Sequence, residues 1–149
     1  MSKRLLEPHE MEELLHRALV GHLATLSPEG PYLVPLHFLY KEGRLYFHCG
    51  LQGRKLDHIK ADPRVCFQVE EMTAIIPHEQ PCSFNTRYSS VLVEGRARLV
   101  EDEGEKLALL TELSVKYKKT AVPALNSKAV AGTHVVEIIP GVMSGKGNC

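Results

Sequence analysis

The chain has 149 residues, with 18 Lys+Arg against 18 Asp+Glu, so its formal net charge at pH 7 is zero. At about 150 residues per domain, this predicts one domain over residues 1–149, large enough for a real core. Balanced charge argues against nucleic-acid binding by bulk electrostatics, and no apolar run is long enough for a membrane span.

The start, Met1-Ser-Lys-Arg-Leu-Leu-Glu-Pro8, lacks an apolar core of signal-peptide length. Cys49, Cys66, Cys82 and Cys149 form no C-x-x-C pair, so no structural zinc pattern is present. These features predict a cytoplasmic chain with reduced thiols and no metal, with Cys66 as a small buried hydrophobe. Eight histidines and the absence of tryptophan are the compositional oddities.

In chain order, Pro8 to Val20 predicts a helix. Met11, Leu14, Leu15, Ala18 and Leu19 form one apolar stripe, Pro8 suits the first turn, and Gly21 ends it. His9 and His16 share a face but are two turns apart, about 10.5 Å of rise, too far to share an ion. They are expected at the surface.

Strands follow at His22–Ser27, Tyr32–Tyr40 and Arg44–Cys49, joined by turns too short for crossovers, hence antiparallel. A short helix is expected from Gly53 to Asp62-Pro63, with Leu56 and Ile59 inward. Arg64–Val69 is a fourth strand. Glu70–Arg87 holds Pro77 and Pro81 and reads as a loop, with room for a short strand at Ala74–Ile76.

Tyr88–Glu101 is a long strand in which Gly95 marks a bulge or a close approach. Glu103–Tyr117 is a second amphipathic helix, with Leu107, Leu110, Leu113 and Tyr117 inward. Thr133–Ile139 is the last strand, and Pro140 opens a tail. This succession predicts a mainly β, antiparallel barrel with a few helices.

Three segments carry candidate chemistry. In Tyr46-Phe-His-Cys-Gly-Leu-Gln-Gly-Arg-Lys-Leu-Asp57 a strand ends, a glycine-bracketed loop follows, and Arg54-Lys55 opens a helix. Free helix N-terminal amides plus two cations make an anion site; a solvated basic pair is the alternative. Those cations oppose the helix dipole, which makes the alternative less comfortable. The pattern is no Walker loop.

In Tyr32-Leu-Val-Pro-Leu-His-Phe-Leu-Tyr40, Pro35 cannot donate to a ladder, so it marks an edge, a bulge or backbone facing a ligand. In Arg87-Tyr-Ser-Ser-Val-Leu-Val-Glu-Gly-Arg-Ala-Arg98, Ser89 and Ser90 open an apolar strand flanked by arginines.

These segments, with Gly21-His-Leu-Ala-Thr25 and Asp62-Pro-Arg-Val-Cys-Phe67, resemble the pyridoxamine 5′-phosphate oxidase-like split-barrel flavoproteins, in particular the nitroimidazole-resistance (Nim-type) branch. The resemblance runs from about Gly21 to Arg98. It implies a Greek-key-like FMN-binding split barrel, a homodimer with FMN at the interface, and an FMN-dependent oxidoreductase acting on a small electron-poor substrate such as a nitro compound.

It assigns Val34, Pro35, Leu36 and His37 to the strand beside the flavin ring, and Phe47, His48 and Cys49 to the strand end along the ring and ribityl chain. Gly53, Arg54 and Lys55 fall on the phosphate turn. Ser89, Ser90 and Val91 fall on the strand reaching the flavin from the partner, and Lys146 in a tail over the site. His37 and His48 are the candidate acids on these strands. The true oxidases carry an Arg-x-His-type C-terminal pattern for pyridoxal phosphate, whereas this tail has only Lys146, so vitamin B6 oxidation is not expected. Haem binding and a non-catalytic flavin or deazaflavin module are the alternatives.

Overall fold

The computed structural model describes residues 3–148. Its elements are β1 (Arg4–Leu5), α1 (Pro8–Arg17), β2 (Gly21–Ser27), β3 (Gly30–Leu36), β4 (Leu39–Lys41), β5 (Arg44–Cys49), α2 (Arg54–Ala61), β6 (Arg64–Ile76), β7 (Asn85–Leu99), α3 (Glu103–Lys118), α4 (Ser127–Ala131) and β8 (His134–Asn148). The strands form one antiparallel sheet in the order β3-β2-β6-β7-β8-β5-β4, with β1 added to β8. The sheet curls round a core but stays open between β3 and β4. The mainly β split barrel expected above is therefore present.

The core follows from strand alternation. Leu23, Phe47, Phe67, Val91, Val93 and Val136 point inward, and Leu14 and Leu15 of α1 join them. Phe38, Phe47 and Phe67 are fully buried, each worth about 1.5–3 kcal/mol by transfer alone. A second cluster joins α3 and α4 to the opposite face of β5 and β8 through Tyr46, Leu109, Leu110, Val130 and Val135. Adjacent Tyr46 and Phe47 are thus both buried, one on each face. Glu137 is only 1% exposed, and Arg44 and Arg98 both pair with it.

Several expectations need correction. The first helix ends at Arg17, and Gly21 opens β2. The expected Tyr32–Tyr40 strand is two strands, β3 and β4, broken at His37–Phe38. Of the expected loop from Glu70, the short strand at Ala74–Ile76 is present, but Glu70–Met72 and Asn85–Arg87 are strand as well, making a hairpin arm: after a register shift at Met72/Ala74, Ala74, Ile75 and Ile76 pair with Arg87, Thr86 and Asn85. Both prolines fall outside this pairing, so neither interrupts it.

The expected tail after Pro140 is the second half of β8, paired with β7 as far as Asn148. Pro140 is tolerated because it faces Gly95 at a register shift. A Cβ on Gly95 would lie 2.3 Å from the Ile139 carbonyl oxygen, so that close approach requires glycine. On α3, Leu109 is buried while Leu107 is 40% exposed. Cys66 is only partly buried, on the outer sheet face, and Cys149 lies outside the described residues. His9 and His16 are exposed, as expected, and His16 also meets Tyr40 edge-on.

Candidate functional site

The opening of the sheet decides where the candidate residues lie. β3 is an edge strand, which suits Pro35. Pro35 is exposed, whereas Val34 and Leu36 pack against the core, so their side chains face away from any ligand on the outer surface. β4 pairs with β5 only from Leu39↔Tyr46 to Lys41↔Arg44. Phe47, His48 and Cys49 therefore run past its end, with that side of the strand unclaimed by β4. Phe47 is fully buried in the core, so only its backbone can meet a ligand. Cys49 packs on the core rim, and burial pushes its thiol pKa up, which keeps it protonated and unreactive.

The loop after β5 leads into α2. Gly53, the residue before its first turn, has φ +151°, a conformation side chains disfavour. No side chain caps this helix start. Its first-turn amides thus lack a side-chain acceptor, and Arg54 and Lys55 stand beside them. Leu56 and Ile59 anchor the helix in the core. Thr25 Oγ1 and His58 Nδ1 share a 2.8 Å hydrogen bond. Tyr32 meets the His58 ring edge-on, and the Arg54 guanidinium lies 4.4 Å above the Tyr32 ring. That stacking orients the planar fork of Arg54 at the helix start.

On the other side of β5, α3 and α4 stand off the sheet and leave an open cleft of about 270 Å³. His37 and His48 form one wall, and Leu110, Leu113 and Leu125 the opposite one. The His37 ring stacks on Tyr117, with centroids 4.2 Å apart and planes at 20°. The Tyr117 hydroxyl donates to the Leu19 carbonyl at 2.8 Å and accepts from the Phe38 amide at 2.9 Å.

Lys116 Nζ donates to the Phe38 carbonyl at 2.9 Å and lies 3.8 Å from the Phe38 ring centroid. Burial lowers the Lys116 pKa to about 8, while the carbonyl and ring contacts favour its charged form. Burial is also the main cause lowering the His48 pKa, helped by His37 and Lys55. His48 is thus held neutral at pH 7.

Ser89, Ser90, Val91 and Lys146 lie elsewhere. Val91 is fully buried. Ser90 pairs with Glu70 and with Lys146, and the Ser90 hydroxyl donates to the Lys146 carbonyl at 3.5 Å. Lys146 belongs to β8 rather than to a covering tail. Among the described residues, no hydrogen bond, ion pair or ring contact joins this patch to Arg54, Lys55, His37 or His48. No group of three or more His, Cys, Asp or Glu able to hold a metal occurs among the described residues, and no helix there is long and apolar enough to cross a membrane.

Sequence reasoning missed Thr25, Tyr32, His58, Lys116, Tyr117 as a partner of His37, and Thr133. Tyr32 and Arg54 are 22 positions apart, and His37 and Tyr117 are 80 apart, so no local spacing announces either pair.

Known proteins can now be set beside this geometry. A solved structure from Bacteroides thetaiotaomicron, a candidate 5-nitroimidazole antibiotic resistance protein, superposes with TM-score 0.85 at 25% identity, covering 97% of this chain and 87% of that one. A FAD-binding protein from Mesorhizobium loti is 29% identical over 100% of both chains, with TM-score 0.75. An uncharacterized protein of Rhizobium meliloti is 26% identical over 96 residues, which span 64% of this chain and only 56% of that relative. The sequence model of the pyridoxamine 5′-phosphate oxidase family matches residues 7–147, nearly the whole chain, and the chain belongs to that family.

Proposed function

We propose that the chain binds FMN as a homodimer and reduces small electron-poor molecules such as nitro compounds. The observation that carries this reading is the uncapped start of α2. It sets Arg54 and Lys55 beside free amides at the open edge of the barrel, next to His48. That donor set fits a phosphate monoester. A flavin held there would supply the electron and hydride transfer.

The remaining roles fall to the chain's own residues. Arg54 and Lys55 would hold the phosphate, with Arg54 oriented by Tyr32. The unpaired edge of β3 at Val34–Leu36 and the end of β5 would meet the ring through backbone groups. His48, neutral at pH 7, could hold or donate a proton at a ring nitrogen, with His37 beside it. The relatives described as a FAD-binding protein and as a nitroimidazole-resistance candidate support this direction.

The second subunit is inferred from two observations. Among the described residues, no hydrogen bond, ion pair or ring contact links Ser89, Ser90 or Lys146 to the α2 site. The outer sheet face also exposes Leu26, Leu33, Leu92 and Val142, with Leu33 65% and Val142 58% accessible. An exposed apolar sheet face marks an association surface. A second copy placed there would bury these residues and bring one chain's Ser89–Ser90 to the other's flavin.

The test is the absorption spectrum of purified protein with and without added FMN, together with its mass by sedimentation. A flavin spectrum and a dimer mass are expected. A colourless protein that ignores FMN would sink the reading. A Soret band would favour haem instead, for which His37 and His48 offer ring nitrogens with no hydrogen bond among the described residues. Turnover with reduced nicotinamide and a panel of nitro compounds, quinones and oxygen separates an enzyme from a binding module.

A further inference from the structure

Arg54 is exposed at the start of α2, yet its fork is braced. A long polar side chain loses rotamer freedom when fixed, so an exposed arginine stays in one place only where something holds it. Here two strand residues and two helix residues interlock. Thr25 and Tyr32 are direct cross-strand partners on β2 and β3. Arg54 and His58 are four apart on α2, hence neighbours on one helix face. Thr25 is only 1% exposed and shares the 2.8 Å hydrogen bond with His58 Nδ1. The His58 and Tyr32 rings stand at 87°, with centroids 5.7 Å apart, and the Arg54 guanidinium covers the Tyr32 ring. Because a threonine hydroxyl donates or accepts, His58 keeps its bond whether neutral or charged.

The braced group is also unspent. Among the described residues, no hydrogen bond or ion pair takes an Arg54 N–H. The charges of Arg54 and His58 both reach Glu29 on the β2–β3 turn, but neither forms an ion pair with it. Five donors in a rigid fork are thus held in one direction without a protein acceptor.

From this arrangement we infer that Tyr32 and His58, anchored by Thr25, are positioning residues that hold the Arg54 fork in the direction from which it takes a phosphate. The cations themselves are consecutive in sequence, and the brace sets only the aim of one of them. The inference deepens the flavin reading and rests on it for the identity of the ligand. The held fork is a property of the free protein.

The test uses full-length protein titrated with FMN, with riboflavin, which is FMN without its phosphate, and with inorganic phosphate. NMR follows the Arg54 Nε–H signal throughout. In the free parent that signal should lie upfield, under the Tyr32 ring. Tyr32→Leu should abolish this shift and weaken FMN about tenfold while changing riboflavin less than about twofold. Tyr32→Phe keeps the ring and should behave as the parent. Thr25→Val, close in shape but unable to bond His58, should weaken FMN about threefold and spare riboflavin. With Arg54→Ala already in place, Tyr32→Leu should cause no further loss.

Equal loss of FMN and riboflavin in Tyr32→Leu overturns the inference, since a packing defect touches both. So does a tenfold loss that persists without Arg54, or an Arg54 signal unshifted in the free parent. A parent that binds inorganic phosphate at Arg54, dependent on Tyr32, but never binds FMN leaves this inference standing and sinks the proposed flavin function. A parent that binds neither overturns both.

Discussion

The two sides of β5 were built in different ways. The start of α2 is a local construction: Gly53, Arg54 and Lys55 are consecutive, and one uncapped helix end plus two cations makes up the proposed anion site. The cleft under α3 is a long-range construction. His37 is held by Tyr117, and Tyr117 is held by Leu19 and Phe38, so three distant stretches of chain must dock before the two histidines share a wall. The local site can tolerate a loosened fold, since its donors travel together. The cleft should lose its geometry as soon as α3 shifts.

The largest expected effect breaks the local side. Arg54→Ala with Lys55→Ala removes two charge-assisted contacts and should weaken FMN binding on the order of 100-fold or more, read by fluorescence titration. Because both side chains are at the surface of the helix start, the melting temperature should hardly move. Loss of flavin together with loss of fold would undo the separation drawn here.

An intermediate effect tests the long-range side. Tyr117→Phe keeps the ring that stacks on His37 but removes the hydroxyl shared by Leu19 and Phe38. It should cost about 1–2 kcal/mol of stability, measured by denaturant unfolding. Tyr117→Leu should cost more and also move the His37 signal, while leaving flavin affinity near that of the parent. Equal effects of the two variants would show that the hydroxyl network, and not the stack, holds His37.

The smallest effect sharpens the boundary between the two sides. The His48 pKa is lowered mainly by burial, then by His37 and Lys55. His48 should therefore titrate below the ordinary histidine value of about 6.5. Its folded form resists protonation, so its contribution to stability is full above that value and falls as pH drops through it. Lys55→Met removes the smallest of the three causes and should raise the His48 midpoint slightly, followed by NMR titration. A midpoint that falls instead would mean Lys55 does not act on His48.

How much of this was legible beforehand follows from the same division. Gly53-Arg-Lys55, the alternation of Arg44–Cys49 and the helix pattern around Leu56 and Ile59 were all readable, because each depends on neighbours within a turn or two. Pro35 correctly marked an edge. Pro77 and Pro140 misled, each for its own reason. The β6–β7 pairing runs as far as Ile76, so Pro77 sits just beyond it, and Gly95 across the sheet lets β8 pass Pro140. Gly95 lies 45 positions from Pro140, out of reach of any local pattern.

Strand alternation and short turns were enough to specify the antiparallel barrel, and the resemblance of the quoted segments pointed to the family, since local periodicity and motif order carry that information. Only the tertiary structure decided that Phe47 belongs to the core, that Lys146 belongs to a strand, and that His37 and His48 line one cleft with α3, whose Tyr117 lies 80 positions from His37. Those outcomes depend on which face of each strand is covered, and covering is a property of packing that no stretch of sequence determines alone.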